Sequence, residues 1–135
     1  MPFSISPETV DREFIDKMKT ITGEPFKTCM QCGTCTVVCP MTPDMPFTTR
    51  QVMHLTQWGQ KTALLSTSAP WLCASCHACE VRCPRGIDIP RVLEGLRQIS
   101  LRENVNHVDP ACIEKDRIEE MPQMAIVSAF RKHTA

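Results

Sequence analysis

An all-α fold made of two related halves is what this sequence predicts, and three observations predict it. Cys29, Cys32, Cys35, Cys39 and Pro40 spell C-x2-C-x2-C-x3-C-P, and Cys73, Cys76, Cys79, Cys83 and Pro84 spell it again 44 positions later. The 33 residues between Cys39 and Cys73 carry apolar residues at helical rather than alternating spacing. The segments before the first run and after the second show the same helical period.

Taken in order, Ser6-Pro7 predicts a helix start, with the helix running to about Thr20. Glu8, Asp11 and Glu13 in its first turns and Lys17 and Lys19 near its end suit the helix dipole. Val10, Phe14, Ile15, Met18 and Ile21 form its apolar stripe, and Gly23-Glu24-Pro25 breaks it. A second helix is predicted from about Thr48 to Trp58, stopped by Gly59, and a weaker third over about 61–66. After the second cysteine run a helix spans about 89–103. Ile89, Val92, Leu93, Leu96 and Ile99 face inward, and Arg91, Arg97 and Arg102 lie mostly on its polar side. In the tail, Asp109-Pro110 predicts a cap and first turn, followed by a short polar helix over about 111–120. Pro122 opens a last helix with Met124, Ile126, Val127 and Phe130 apolar.

The repeat extends beyond the cysteines. Asp44-Met45-Pro46 matches Asp88-Ile89-Pro90, and Val52 and Leu55 match Leu96 and Ile99 at the same offset. Each copy predicts a cluster motif, a short loop, an aspartate N-cap and a proline in the first turn. Two such units imply approximate internal two-fold symmetry.

The cysteine spacing points to iron–sulfur chemistry. Three thiolates at i, i+3 and i+6 wrap three corners of one cubane, and C-x2-C-x2-C-x3-C-P is the run of bacterial two-cluster ferredoxins. There the fourth cysteine ligates the other cluster. On that pattern Cys29, Cys32, Cys35 and Cys83 hold one [4Fe–4S] cluster, and Cys73, Cys76, Cys79 and Cys39 hold a second. Zinc takes separated C-x2-C pairs and leaves the third and fourth cysteines surplus. A disulfide framework suits neither an odd count of nine cysteines nor opening residues that do not read as a signal segment.

Other features narrow the function. Fifteen basic and fifteen acidic residues cancel, so nothing points to nucleic acid or an anionic membrane as partner. No apolar run approaches a membrane span, which predicts a soluble, cytoplasmic protein. No phosphate-binding loop, dinucleotide fingerprint or nucleophile–base set is visible. The ninth cysteine, Cys112, reads as free. His77, between two ligands, either bonds near a cluster sulfur or fills surface, and Arg82 and Arg85 flank Cys83.

With these motifs on a helical frame, the chain resembles the α-helical ferredoxin fold. That fold occurs in the iron–sulfur subunits of succinate dehydrogenase and fumarate reductase and in heterodisulfide reductase. The resemblance covers about residues 5 to 104, and the expected organisation is a two-cluster domain over 1–104 and a helical tail over 105–135. Together the two runs and the stretch Cys83-Pro84-Arg85-Gly86-Ile87-Asp88-Ile89 most resemble the C subunit of heterodisulfide reductase. That likeness implies a non-catalytic relay of single electrons between a flavin-bearing A-like subunit and a catalytic B-like subunit with Cys-Cys-Gly motifs. A succinate dehydrogenase-type or quinone-linked subunit and a free two-cluster carrier are the alternatives. The tail either folds back or docks on a partner.

Overall fold

The computed structural model describes residues 9–103 and 109–134, which form two compact units divided after Glu103. Every regular element among the described residues is helical.

In the larger unit, α1 (Arg12–Thr22) begins where the Asp11 carboxylate accepts from the Phe14 amide at 2.8 Å. This start corrects the one expected from Ser6-Pro7. Those two residues lie outside the described chain, but Thr9 and Val10 are described and are not helical. The aspartate satisfies an otherwise orphaned donor of the first turn and so sets the boundary. Gly23, at φ 66°, ends the helix and returns its amide to the Lys19 carbonyl.

Three very short helices lie in or beside the cysteine runs: α2 (Thr34–Val38), α5 (Ala69–Leu72) and α6 (Ala78–Val81). Between them run α3 (Thr49–Gln57) and α4 (Lys61–Leu65). A capping box opens α3, with Thr48 and Gln51 each satisfying the other's amide. Asp44 therefore does not cap this helix as the repeat predicted. It sits in a separate 3-10 turn, Thr42–Asp44, and Pro46 precedes the helix rather than entering it. In the second copy the expectation holds. Asp88 accepts from the Arg91 amide at 2.9 Å and Pro90 occupies the first turn of α7 (Ile89–Leu101).

The core lies between α1 and α7, with α3, α4, α5 and α6 also packed on α7. Phe14, Ile15 and Met18 meet Val92, Leu93, Leu96 and Ile99, all buried. Each large apolar side chain removed from water contributes about 1.5–3 kcal/mol. Val52 and Leu55 of α3 are buried as well, matching their repeat partners Leu96 and Ile99. The smaller unit holds a 3-10 turn at Pro110–Cys112, α8 (Lys115–Glu120) and α9 (Gln123–Thr134). The single tail helix expected over 111–120 is thus broken: Asp109 accepts from the Ala111 amide, which tightens the chain into the 3-10 turn before α8 starts.

Candidate metal centre

The two cysteine runs adopt the same backbone path. Gln31 and Ser75, 44 residues apart, both sit at positive φ (59° and 51°), and so do Gly33 and His77 (86° and 59°). Gly33 is the N-cap of α2 and His77 that of α6. These left-handed residues turn the chain between successive cysteines and keep the run from continuing as one helix.

Burial repeats with the same offset. Cys35 and Cys79, on α2 and α6, are buried; Cys32 and Cys76 are exposed; Cys29, Cys73, Cys39 and Cys83 are intermediate. The helices α2 and α6 pack on each other. Cys39 is the C-cap of α2, and Cys83 stands two residues past the end of α6. The fourth cysteine of each run is thus delivered from the packed α2–α6 pair. A cavity is lined by Cys29, Cys32 and Cys35 together with Cys83, and walled by Arg50, Met53, Arg85, Ile87 and Ile89. A wider groove of about 710 Å³, bordered by Phe14, Lys17, Lys61 and Arg102, contains no cysteine.

The first cysteine of each run is clasped from a distance. Gln57, at the end of α3, donates from Nε2 to the carbonyls of Phe26 (3.2 Å), Lys27 (3.1 Å) and Cys29 (3.0 Å). Arg97, within α7, donates from Nε to the Pro70 carbonyl and from Nη2 to that of Cys73, both at 2.8 Å. Pro70 and Cys73 follow Phe26 and Cys29 by the repeat offset of 44. Equivalent carbonyls are therefore held by an amide in one half and by a guanidinium in the other. Arg97 does not belong on the polar face where the sequence put it: its side chain is only 17% exposed. Neither Gln57 nor Arg97 is legible as part of the site from sequence, because each acts on residues more than 20 positions away.

Further bonds brace the motifs. Thr36 meets the Thr49 hydroxyl and accepts from the Arg50 amide, tying α2 to the start of α3. Glu24 accepts from the Asp88 amide at 3.2 Å and pairs with Arg91, tying the turn after α1 to the start of α7.

The thiols differ in acidity. Burial, and then the neighbouring Cys73, push the Cys79 thiol up to about 12. Burial likewise raises Cys35, against a hydrogen bond with Thr49. Cys32 is lowered by its hydrogen bond with Thr34. Buried sulfurs of this kind ionise only against a compensating cation, so loading iron releases protons. His77 Nδ1 lies 2.6 Å from the Glu80 carboxylate, which raises the imidazole's proton affinity. Arg85 walls the cavity, Arg82 is exposed, and Cys112 is exposed in the smaller unit.

Eight cysteine sulfurs in two runs form a soft donor set suited to iron–sulfur clusters. Residues 17–87 match the model of the 4Fe-4S dicluster domain family, more than half of the chain. The chain belongs to the 4Fe-4S dicluster family. Members are two-cluster proteins, and the chain binds two [4Fe–4S] clusters on a helical frame. Among similar proteins is the C subunit of the H(2):CoB-CoM heterodisulfide,ferredoxin reductase of Methanothermobacter thermautotrophicus, 38% identical over 85 residues, 63% of this chain and 46% of that protein. The C subunit of the ferredoxin:CoB-CoM heterodisulfide reductase of Methanosarcina mazei is 38% identical over 87 residues, 64% of this chain and 53% of the relative. An iron–sulfur C subunit of the CoB–CoM heterodisulfide reductase of Methanocaldococcus jannaschii is 32% identical over 107 residues, 73% and 57% respectively. The chain spans about half the length of these relatives. This dicluster chain is an iron–sulfur protein. No helix among its described residues is long and apolar enough to cross a membrane.

Proposed function

We propose that the chain is the electron-relay subunit of a heterodisulfide reductase-like complex. In this reading it accepts single electrons from a flavin-containing subunit and passes them to a catalytic subunit bearing Cys-Cys-Gly motifs. One cluster is held by Cys29, Cys32, Cys35 and Cys83, the other by Cys73, Cys76, Cys79 and Cys39. Residues 1–104 form the ferredoxin domain, the tail over 105–135 is a docking segment, and the complex works in the cytoplasm.

The observation that carries this reading is the pair of complete four-cysteine sets in a chain similar to the C subunits of heterodisulfide reductases. Four thiolates on each cluster leave no open position for a substrate, which confines the chain to moving electrons. The cavity bordered by Cys29, Cys32, Cys35 and Cys83 supports the crossed ligand assignment. The protein's part is then to hold the sulfurs, screen them with Met53, Ile87 and Ile89, and set the charge around them.

Anaerobic affinity purification from the native host tests this, with mass spectrometry of what comes with the chain. A flavoprotein and a protein with Cys-Cys-Gly motifs are expected in stoichiometric amounts. Recovery of the chain alone, or with a membrane quinone-reactive subunit, would replace the reading with a free carrier or a quinone-linked complex.

A further inference from the structure

Gln57 and Arg97 bond carbonyls that match in the repeat, although the two side chains stand 40 rather than 44 residues apart and differ by one full charge. Each fixes the carbonyl of a first cysteine, Cys29 or Cys73, and that of the residue three positions before it. The amide does this with no net charge. The guanidinium does it with a positive charge that no pH within the stable range removes.

We propose that Arg97 is a positioning residue that also raises the reduction potential of the cluster on Cys73, Cys76, Cys79 and Cys39, while Gln57 positions its counterpart without that effect. The proposal rests on the ligand assignment given above. Reduction adds one negative charge to a cluster. A cation hydrogen-bonded to the backbone of a ligand residue stabilises the reduced form more than the oxidised one, and the effect grows as water is excluded. Arg97 meets this condition with a side chain only 17% exposed. Arg50 and Arg85, on the wall of the other cysteine cavity, are exposed, and solvent screens them. Glu94 opposes Arg97: its carboxylate accepts from Nη1 at 3.0 Å, but its side chain is 49% exposed. The pair therefore leaves a net positive field on the side that faces Cys73, and Glu94 trims it. Removing the charge of Arg97 and removing that of Glu94 should move the potential in opposite directions, which a purely structural clasp would not do.

The test uses the full chain purified anaerobically, with iron and sulfide assayed and each cluster followed by EPR in a mediated redox titration. Arg97→Gln should lower the midpoint of one cluster by about a tenfold change in its reduced-to-oxidised ratio, which is about 59 mV for one electron. Arg97→Lys should keep most of the wild-type midpoint. Glu94→Gln should raise the same midpoint by a smaller amount and leave the other cluster in place. Full iron content with unmoved midpoints in both Arg97→Gln and Glu94→Gln overturns the proposal. If Arg97→Gln loses a cluster, the exposed Glu94→Gln variant decides alone: an upward shift supports the field and no shift refutes it. A wild-type chain with fewer than about eight irons, or a Cys73→Ala chain with both EPR signals intact, overturns the ligand assignment beneath the proposal instead.

Discussion

Gly33 and His77 stand 44 residues apart, and both hold the left-handed backbone that starts the short helix carrying the third cysteine of its run. The glycine adopts φ 86° without steric cost, whereas the histidine at φ 59° carries a Cβ that opposes it. His77→Gly should therefore stabilise the loaded protein by up to about 1 kcal/mol, since the Glu80 contact it loses is at the surface. Gly33→Ala should destabilise it by about 1–2 kcal/mol. Space is not the issue there, because an added Cβ would find Arg50 Cδ at an ordinary 3.6 Å. Anaerobic thermal unfolding followed at the cluster absorbance checks both signs. A His77→Gly variant that melts earlier would show that the ring's pairing with Glu80 outweighs the backbone.

Gln57 supplies a second prediction. Its one amide nitrogen serves three carbonyls around Cys29. Gln57→Ala should cost about 1–3 kcal/mol, the value of one or two bonds to partly buried acceptors. The loss should fall on one cluster. Chelator challenge with EPR detection should release the cluster on Cys29 several-fold faster than wild type and leave the other rate unchanged. Equal acceleration of both would mean that the clasp supports the fold at large rather than its own motif.

The sequence made the long helices and the two cysteine motifs legible, and the short-range geometry less so. The apolar stripes of α1 and α7 sit at 3.6-residue spacing, and their residues are buried as that period requires. Gly23 and Gly59 mark helix ends by the usual left-handed turn. What failed was capping by analogy. The repeat carried Asp44 onto Asp88, but Thr48 and Gln51 offer α3 a reciprocal pair of bonds, and that pair sets its start. A capping box was readable at Thr48 and Gln51, since the threonine is followed three residues later by glutamine. The helices α2, α5 and α6 are four or five residues long, too short for a period to register. The positive φ of His77 was readable only by laying the second copy over Gly33. Gln57 and Arg97 were out of reach, because a side-chain bond to a carbonyl 24 to 31 residues away leaves no pattern in the chain.

Gly95 gives a third prediction, about the packing that supports the clusters. It lies on α7 against α1: an added Cβ would stand 2.5 Å from Thr22 Cγ2 and 3.3 Å from Met18 Cε. Thr22 is buried, and its hydroxyl donates to the Met18 carbonyl at 2.7 Å, so its methyl cannot swing aside without breaking that bond. Alanine gains about 1 kcal/mol of helix propensity, and overpacking costs about 1–3 kcal/mol. Gly95→Ala should therefore be net destabilising, by up to about 2 kcal/mol. Thr22→Ser removes the offending methyl and keeps the hydroxyl, so the double variant should recover most of the loss. Melting temperatures of the two single variants and the double variant read this out, and additive losses would exclude the contact as the cause.

The crossed ligand assignment makes the sharpest prediction, because pairs of variants separate it from an uncrossed one. Cys83 borders the cavity of Cys29, Cys32 and Cys35, yet it follows Cys79 in sequence. Cys83→Ala should remove one cluster and leave about four irons, as expected for one remaining cubane. Adding Cys32→Ala should then cost no further iron, since both residues serve the same cluster. Adding Cys76→Ala should remove the second cluster as well. Cys32 and Cys76 suit this comparison because both are exposed and their loss leaves no cavity. Uncrossed ligation reverses the outcome: the pair with Cys76 would keep one cluster and the pair with Cys32 would lose both. Alanine is preferred to serine, whose oxygen can stand in as a ligand. EPR of the reduced variants should confirm that the surviving cluster has lost the magnetic coupling to its neighbour.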